Sequence, residues 1–361
     1  MELMDFVSGT LAEAGIPSTL IPNEDGSKAN LLATIGPADV GGVMLSGHTD
    51  VVPVEGQAWT KPAFELTNEG GKYFGRGTTD MKGFVACSLA AALNAKDVPL
   101  KVPLHLAFSY DEEIGCQGVR SMIELLQTMP VKPAMCIVGE PTSMTVATGH
   151  KGKVAMRAVC TGKEGHSALA PFALNALHLG CDIVSELRDV QAALQAEGAQ
   201  DDDYDVPYTT VHVGRIDGGR ALNIVPNRCD IDFEIRNLAE DDPQEIMADI
   251  EKRAAGIVAR YKEQSDAADI RFEPNFSYPG LNTAQNAEVV QFVKSLTGSN
   301  STCKVAFGTE GGLFDSLVGV PTVVCGPGSM DQGHKPDEYV EISQIARCDA
   351  MLGNLVQRLT M

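Results

Sequence analysis

The order of apolar runs predicts an α/β fold: a doubly wound, mainly parallel sheet interrupted by a smaller α+β insertion. Three observations carry this. Through residues 43–141 short apolar runs alternate with helical segments, the pattern of parallel strands joined by helical crossovers. Later, Cys229, Ile231, Phe233 and Ile235 alternate strictly with Asp230, Asp232, Glu234 and Arg236, which describes a sheet with one wet face. Past Pro279-Gly280 the first pattern resumes. The expected division is therefore a discontinuous domain of residues 1–151 and 280–361, with residues 152–279 inserted into it.

Taken in order, Leu3, Phe6, Val7, Leu11 and Ala14 keep a helical period that Gly15-Ile16-Pro17 ends. No capping residue precedes this helix, so Met1 is expected to be an internal start relative to longer relatives. Residues 30–35 and 43–45 are strand-like, 53–77 form a loop rich in Gly and Pro, and a helix is expected over 81–94. A strand over 104–110 leads into Asp111-Glu112-Glu113, a helix covers 118–127, and a strand over 134–138 ends at Gly139-Glu140-Pro141.

The insertion offers strands at 154–160, 207–213 and 270–276 and a helix near 175–187. Asp242-Pro243-x-Glu245 opens a second helix with a cap, a proline in the first turn and an acid at the third position. Ile246, Ile250, Ile257 and Tyr261 share one face of it, and the whole reads βαββαβ. A helix over 287–296, a strand over 321–325 and a helix over 341–359 complete the chain, which has no internal repeat.

Composition narrows the function. The chain has 361 residues, 44% of them apolar and 21% charged, as soluble globular proteins do. A net charge of −20 disfavours nucleic acid and anionic membranes as partners. Part of that acidity, Asp201-Asp202-Asp203-Tyr204-Asp205, reads as an exposed loop. No apolar stretch approaches the length of a membrane span, and the start lacks the features of a secretory signal, so a cytoplasmic location is expected. Nine cysteines stand singly with no Cys-x-x-Cys pair, which suits reduced, mostly buried thiols; any metal must use other ligands.

Those other ligands recur where strand-type runs end. Val43-Met44-Leu45 leads into Ser46-Gly47-His48-Thr49-Asp50, placing His48 at a strand's carboxyl edge, where open α/β sheets bind ligands. Asp80 opens a helix, Glu112 and Glu113 follow a strand, Glu140 ends another, and His334 lies in Gly333-His334-Lys335-Pro336. Singly, these are a helix cap, an acidic turn and loop residues. Jointly, two imidazoles and three carboxylates converge on one crevice, and burying those acids requires cations. Two divalent metals meet that need. Imidazole and carboxylate without thiolate suits Zn²⁺, with Co²⁺ or Mn²⁺ as substitutes.

At this point the sequence resembles the aminoacylase and carboxypeptidase family of co-catalytic zinc hydrolases. The matching stretches are SGHTDVVP (46–53), GRGTTDMKG (75–83), YDEEIGCQG (110–118), VGEPT (138–142), GHSALAP (165–171), NIVPN (223–227), FGTEGG (307–312) and GHKPDEYV (333–340). The resemblance implies that His48, Asp80 and Glu140 hold one zinc ion, and His334, Asp80 and Glu113 the other. It implies a bridging Asp80 followed by a cis peptide to Met81, with Asp50 orienting His48. Glu112 would be the general base, taking a proton from the attacking water and returning it to the departing amine. The insertion would be the lid and the homodimer interface, with His166 reaching across the dimer to polarise the oxygen of a small N-acyl amino acid. Relatives usually carry residues before the first helix.

Three further residues are read as substrate-binding. The guanidinium of Arg236 suits an α-carboxylate, though it also fits a charged row on the wet sheet face; Asn223 is grouped with it. Glu310, beside Gly311-Gly312, could meet a side-chain ammonium or be a plain loop acid. His105, His150, His178 and His212 are read as structural. The rival substrates are those of a desuccinylase, an aminoacylase or a dipeptidase. A decayed, non-catalytic scaffold is disfavoured because every ligand and the base are present.

Overall fold

The computed structural model describes residues 1–361 and divides into two compact units, Met1–His150 with Leu281–Met361, and Lys151–Gly280. In the first, helix α1 (Glu2–Glu13) precedes strands β1 (Ser18–Pro22), β2 (Ala29–Ile35) and β3 (Val43–His48). A hairpin of β4 (Thr67–Glu69) and β5 (Lys72–Phe74) leads to α2 (Lys82–Ala95), β6 (Leu104–Ser109), α3 (Arg120–Thr128), β7 (Met135–Pro141) and β8 (Val146–His150).

The second unit follows as β9 (Lys153–Thr161), β10 (Gly165–His166), α4 (Ala176–Glu197), β11 (Thr210–Gly218), β12 (Ile224–Val225), β13 (Arg228–Arg236), α5 (Pro243–Lys262) and β14 (Asp269–Tyr278). The chain re-enters the first unit through β15 (Leu281–Asn282), α6 (Glu288–Thr297), β16 (Thr302–Val305), the short α7 (Gly311–Leu313), β17 (Thr322–Gly326), β18 (Tyr339–Glu341) and α8 (Ile342–Arg358).

The main sheet runs β1-β2-β6-β3-β7-β17-β8-β15, with β16 on β8. Its centre, β6, β3, β7 and β17, is parallel. The flanks β1, β2 and β15 pair antiparallel. β3 and β6 are buried along their whole length, as a parallel strand covered on both faces must be. Gly139 shows how closely α2 covers the sheet. A Cβ there would fall 1.9 Å from the Phe84 ring, so only glycine fits beneath it. The core adds Leu45, Leu106, Ile137 and Val323 from the strands to Leu352 and Leu355 from α8.

The second unit is a four-stranded antiparallel sheet, β11-β13-β9-β14, backed by α4 and α5. β13 buries Cys229, Ile231, Phe233 and Ile235 and leaves the intervening residues half-buried. Asp242 caps α5 through the amide of Gln244, and Ile246, Ile250 and Ile257 are buried.

Several expectations change. Phe6 is 65% exposed, and Met4 takes its place on the buried face of α1. The loop expected over 53–77 contains the β4–β5 hairpin, which pairs with β18. α4 continues to Glu197, and the expected strand at 207 starts only at Thr210. Tyr204, expected in an exposed loop, is buried beneath the Lys151 ammonium. None of the nine cysteines is bonded; Cys181 is exposed, Cys303 half-buried and the rest buried. No helix is long and apolar enough to cross a membrane.

Candidate metal centre

Strand register sets the site. His48 pairs with Ser109 across β3 and β6, and Ser46 pairs with Val138 across β3 and β7, so Glu140 stands level with His48. All three strands are parallel and end at one edge, which gathers His48, Glu140 and the Glu112-Glu113 turn. Asp80 comes from the loop entering α2, and His334 from the segment between β17 and β18, where it takes a φ of 59°. The Asp80–Met81 peptide is cis.

The side chains converge in two groups. Ligand atoms of His48, Asp80 and Glu140 lie within 4.8 Å of one another, as do those of Asp80, Glu113 and His334. His48 Nε2 is 3.0 Å from Asp80 Oδ1 and 3.4 Å from Glu140 Oε1. His334 Nε2 is 3.0 Å from Asp80 Oδ2 and 3.1 Å from Glu113 Oε2. Asp80 thus offers one oxygen to each group, and the donor set of imidazole and carboxylate fits a pair of divalent cations.

Around these lies a supporting layer. His48 Nδ1 donates to the Asp50 carbonyl at 3.1 Å, which leaves Nε2 facing Asp80 and Glu140. The Asp50 carboxylate accepts the amides of Glu112 (3.2 Å) and Glu113 (3.1 Å). Cys116 Sγ donates to Glu112 Oε1 at 3.4 Å.

The remaining expected residues are also placed. Glu310 is buried, accepts from Ser46 Oγ at 3.2 Å on Oε2, and has no hydrogen-bond donor at Oε1. In the second unit, β10 pairs with β12, which sets His166 opposite Ile224, and Ser167 N donates to the Asn223 carbonyl. Arg236 donates through Nε to Glu234 and through Nη1 to Tyr278 Oη. Of the histidines read as structural, His105 is buried beside Thr34, and His150 accepts the Gly312 amide through Nε2.

Sequence reasoning missed Glu338 and Arg76, a buried ion pair at 2.7 Å. Glu338 Oε1 accepts the backbone amides of Gly77, Thr79 and Asp80. The only signal for them was their position inside matched stretches.

Hydrogen bonds that His334 donates to the Asp80 and Glu113 carboxylates raise it to about 10. Burial opposes charge on His48, but Glu140 and bonds to Asp50 and Asp80 raise it well above its ordinary value. Burial and Asp80 push Glu140 to about 8. Burial also lifts Glu112, helped by Glu140 and Glu310 against His48, and lifts Glu310 to about 7.

A sequence profile of peptidase family M20/M25/M40 matches residues 44–358. An acetylornithine deacetylase of Pasteurella multocida (strain Pm70) is 33% identical over 355 residues, 98% of this chain and 90% of that protein. One from Myxococcus xanthus is 33% identical over 359 residues, covering 98% and 91%. Among solved structures, an M20 family metallo-carboxypeptidase from Sulfolobus solfataricus has a TM-score of 0.77 at 20% identity, covering 99% of this chain and 93% of that one. A dinuclear metal-binding M20 peptidase from Bacillus subtilis has 0.69 at 15%, covering 99% and 92%. At those identities the two structures establish the fold alone.

Cation loading must displace the proton that His334, raised to about 10, holds at neutral pH, and His48 is shifted in the same direction. Apparent affinity for a divalent cation is therefore expected to rise with pH, by about tenfold per unit for each proton released. Calorimetry in buffers of different ionisation enthalpy reads that release; an affinity flat between about pH 6 and 8 would contradict it.

Proposed function

The chain belongs to peptidase family M20/M25/M40, and from that premise we propose a metal-dependent amidohydrolase that removes the acetyl group from N2-acetyl-L-ornithine, giving ornithine and acetate. The reaction would serve arginine synthesis in the cytoplasm. The observation that carries the chemistry is the pair of ligand groups sharing Asp80, with Glu112 on the same turn as Glu113. The substrate is supported by the names of the two relatives. Desuccinylase, aminoacylase and dipeptidase activities are the alternatives on the same site.

In this proposal His48, Asp80 and Glu140 hold one ion and His334, Asp80 and Glu113 the other, zinc being the proposed metal with cobalt or manganese as substitutes. Bound ions supply Lewis acidity for the amide carbonyl and the attacking water. Glu112 takes a proton from that water and hands it to the departing amine. Its desolvated carboxylate is a stronger base than an exposed one, and the Cys116 thiol engages Oε1, leaving Oε2 for the proton.

His166 is proposed to donate to the substrate oxygen. Its Nδ1 accepts the Ala168 amide, which puts the ring proton on Nε2. Arg236 would take the α-carboxylate through its remaining Nη2 edge, with Asn223 beside the His166 ribbon as a further polar contact. Glu310 would select a cationic side chain, because the bare Oε1 is an acceptor that an ammonium would satisfy. The second unit is proposed as lid and homodimer interface. Supporting this, β11 is an edge strand of its sheet, and Leu169, Phe172 and Leu222 are exposed.

Three outcomes test the assignment. Reconstituted enzyme should hydrolyse N2-acetylornithine with a higher kcat/KM than succinyl-diaminopimelate or acetylmethionine, and Glu310→Gln should lose about tenfold on the cationic substrate alone; equal losses on all three remove Glu310 from specificity. Glu112→Gln should retain its metal and lose about 100- to 10,000-fold in kcat, whereas near-wild-type turnover would end its role as base. Mixing His166→Ala subunits with Glu112→Gln subunits should restore roughly a quarter of wild-type activity if each site draws His166 from a partner. No recovery counts against sharing.

A further inference from the structure

We propose that Glu338 is a positioning residue that presets the separation of Asp80 and His334 before any metal binds. This rests on the assignment of those two residues as ligands. Glu338 is 1% exposed and touches no ligand side chain by hydrogen bond. Its Oε1 instead accepts three amides of one loop, Gly77 at 3.1 Å, Thr79 at 2.9 Å and Asp80 itself at 3.1 Å. Its own carbonyl accepts the Gly75 amide at 2.9 Å. Four backbone donors of the segment leading into Asp80 thus end on one residue, four positions along the chain from His334.

The other side of the clasp holds His334. Arg76 Nη1 pairs with Glu338 Oε2, and Nη2 donates to Gln57 Oε1 at 2.5 Å. Gln57 Nε2 in turn donates to the His334 carbonyl at 3.3 Å. The neighbouring Asp337 accepts the amides of Thr60 (2.9 Å) and Lys61 (3.1 Å), fixing the segment on which His334 sits at positive φ. The loop of Asp80 is thus held by buried, charge-assisted bonds to Glu338 and Arg76, and Gln57 carries the link on to the His334 carbonyl through an exposed neutral hydrogen bond, with no ion required between the two loops. A ligand pair held at fixed spacing binds an ion without first losing loop freedom, which is why outer groups of this kind govern affinity.

The test measures Co²⁺ binding by chelator competition and by visible absorption, on the full chain without substrate. Glu338→Gln keeps an acceptor but loses the charge that faces Arg76. Arg76→Gln with Glu338→Gln removes both charges, so the buried pair is not left half broken. Both variants are expected to bind Co²⁺ about 10- to 100-fold more weakly than wild type, with altered d–d bands. The double variant should keep an apo melting temperature close to that of wild type, and excess Co²⁺ should restore kcat at unchanged KM. Affinity within twofold of wild type in either folded variant overturns the proposal. So does failure of both to fold, since the clasp would then serve the fold and not the site. Weakened binding with inactive wild type would instead spare the clasp and sink the deacetylase assignment.

Discussion

Three carboxylates, Asp80, Glu113 and Glu140, come within reach of two imidazoles at the carboxyl edge of a buried parallel sheet, and that concentration of negative charge governs the rest of the structure. The crowding shows in the titration of the group: hydrogen bonding to Asp80 and Glu113 raises His334 to about 10, and burial beside Asp80 raises Glu140 to about 8. Divalent cations relieve that crowding, because each brings two charges and several bonds to one point. The sheet must therefore be stiff. Three parallel strands in register, sealed by α2 so closely that Gly139 admits no side chain, supply that stiffness.

This explains which elements could be read from sequence. β3, β6 and β7 are buried on both faces, so they appear as largely apolar runs, broken in β6 only by His105, and the residues at or just past their ends mark the ligands. The β4–β5 hairpin and β16 are three or four residues long and lie away from the parallel centre, so no periodicity develops over them. Phe6 and Met4 both fit the helical period of α1. Which one faces the sheet depends on where that helix docks, and a period alone does not fix it. Tyr204 hid among aspartates because a single aromatic under a lysine leaves no pattern.

The candidate site divides along the same line. Groups that present side chains to the crevice sit at or just past strand and helix ends, His334 in the segment between β17 and β18 excepted, and were legible as a set. Groups that act through backbone amides were not, since an amide donor has no residue identity. Glu338 is the case in point: it lies among acids in a polar stretch, and nothing in the letters around it says that it accepts three amides of a loop about 260 residues away. Glu310 was legible as a residue but not as a buried one, because its environment is made by β3 and the turn after β16 together.

Asp50 and Glu338 prove to be the same device used twice. Asp50 accepts the amides of Glu112 and Glu113, and Glu338 accepts those of Gly77, Thr79 and Asp80. Each is an acid that leaves the ligand positions to others and accepts backbone amides of a ligand-bearing loop, while Glu338 also pairs with Arg76 and Asp50 also faces His48 Nδ1 at 3.4 Å. That arrangement resolves an apparent conflict, since adding acids to an already acidic site ought to destabilise it. An acid whose oxygens are taken up by peptide dipoles repels its neighbours less and holds their chain in place. The surplus of carboxylates in this crevice is therefore partly scaffold, and counting acids overstates the charge that cations must balance.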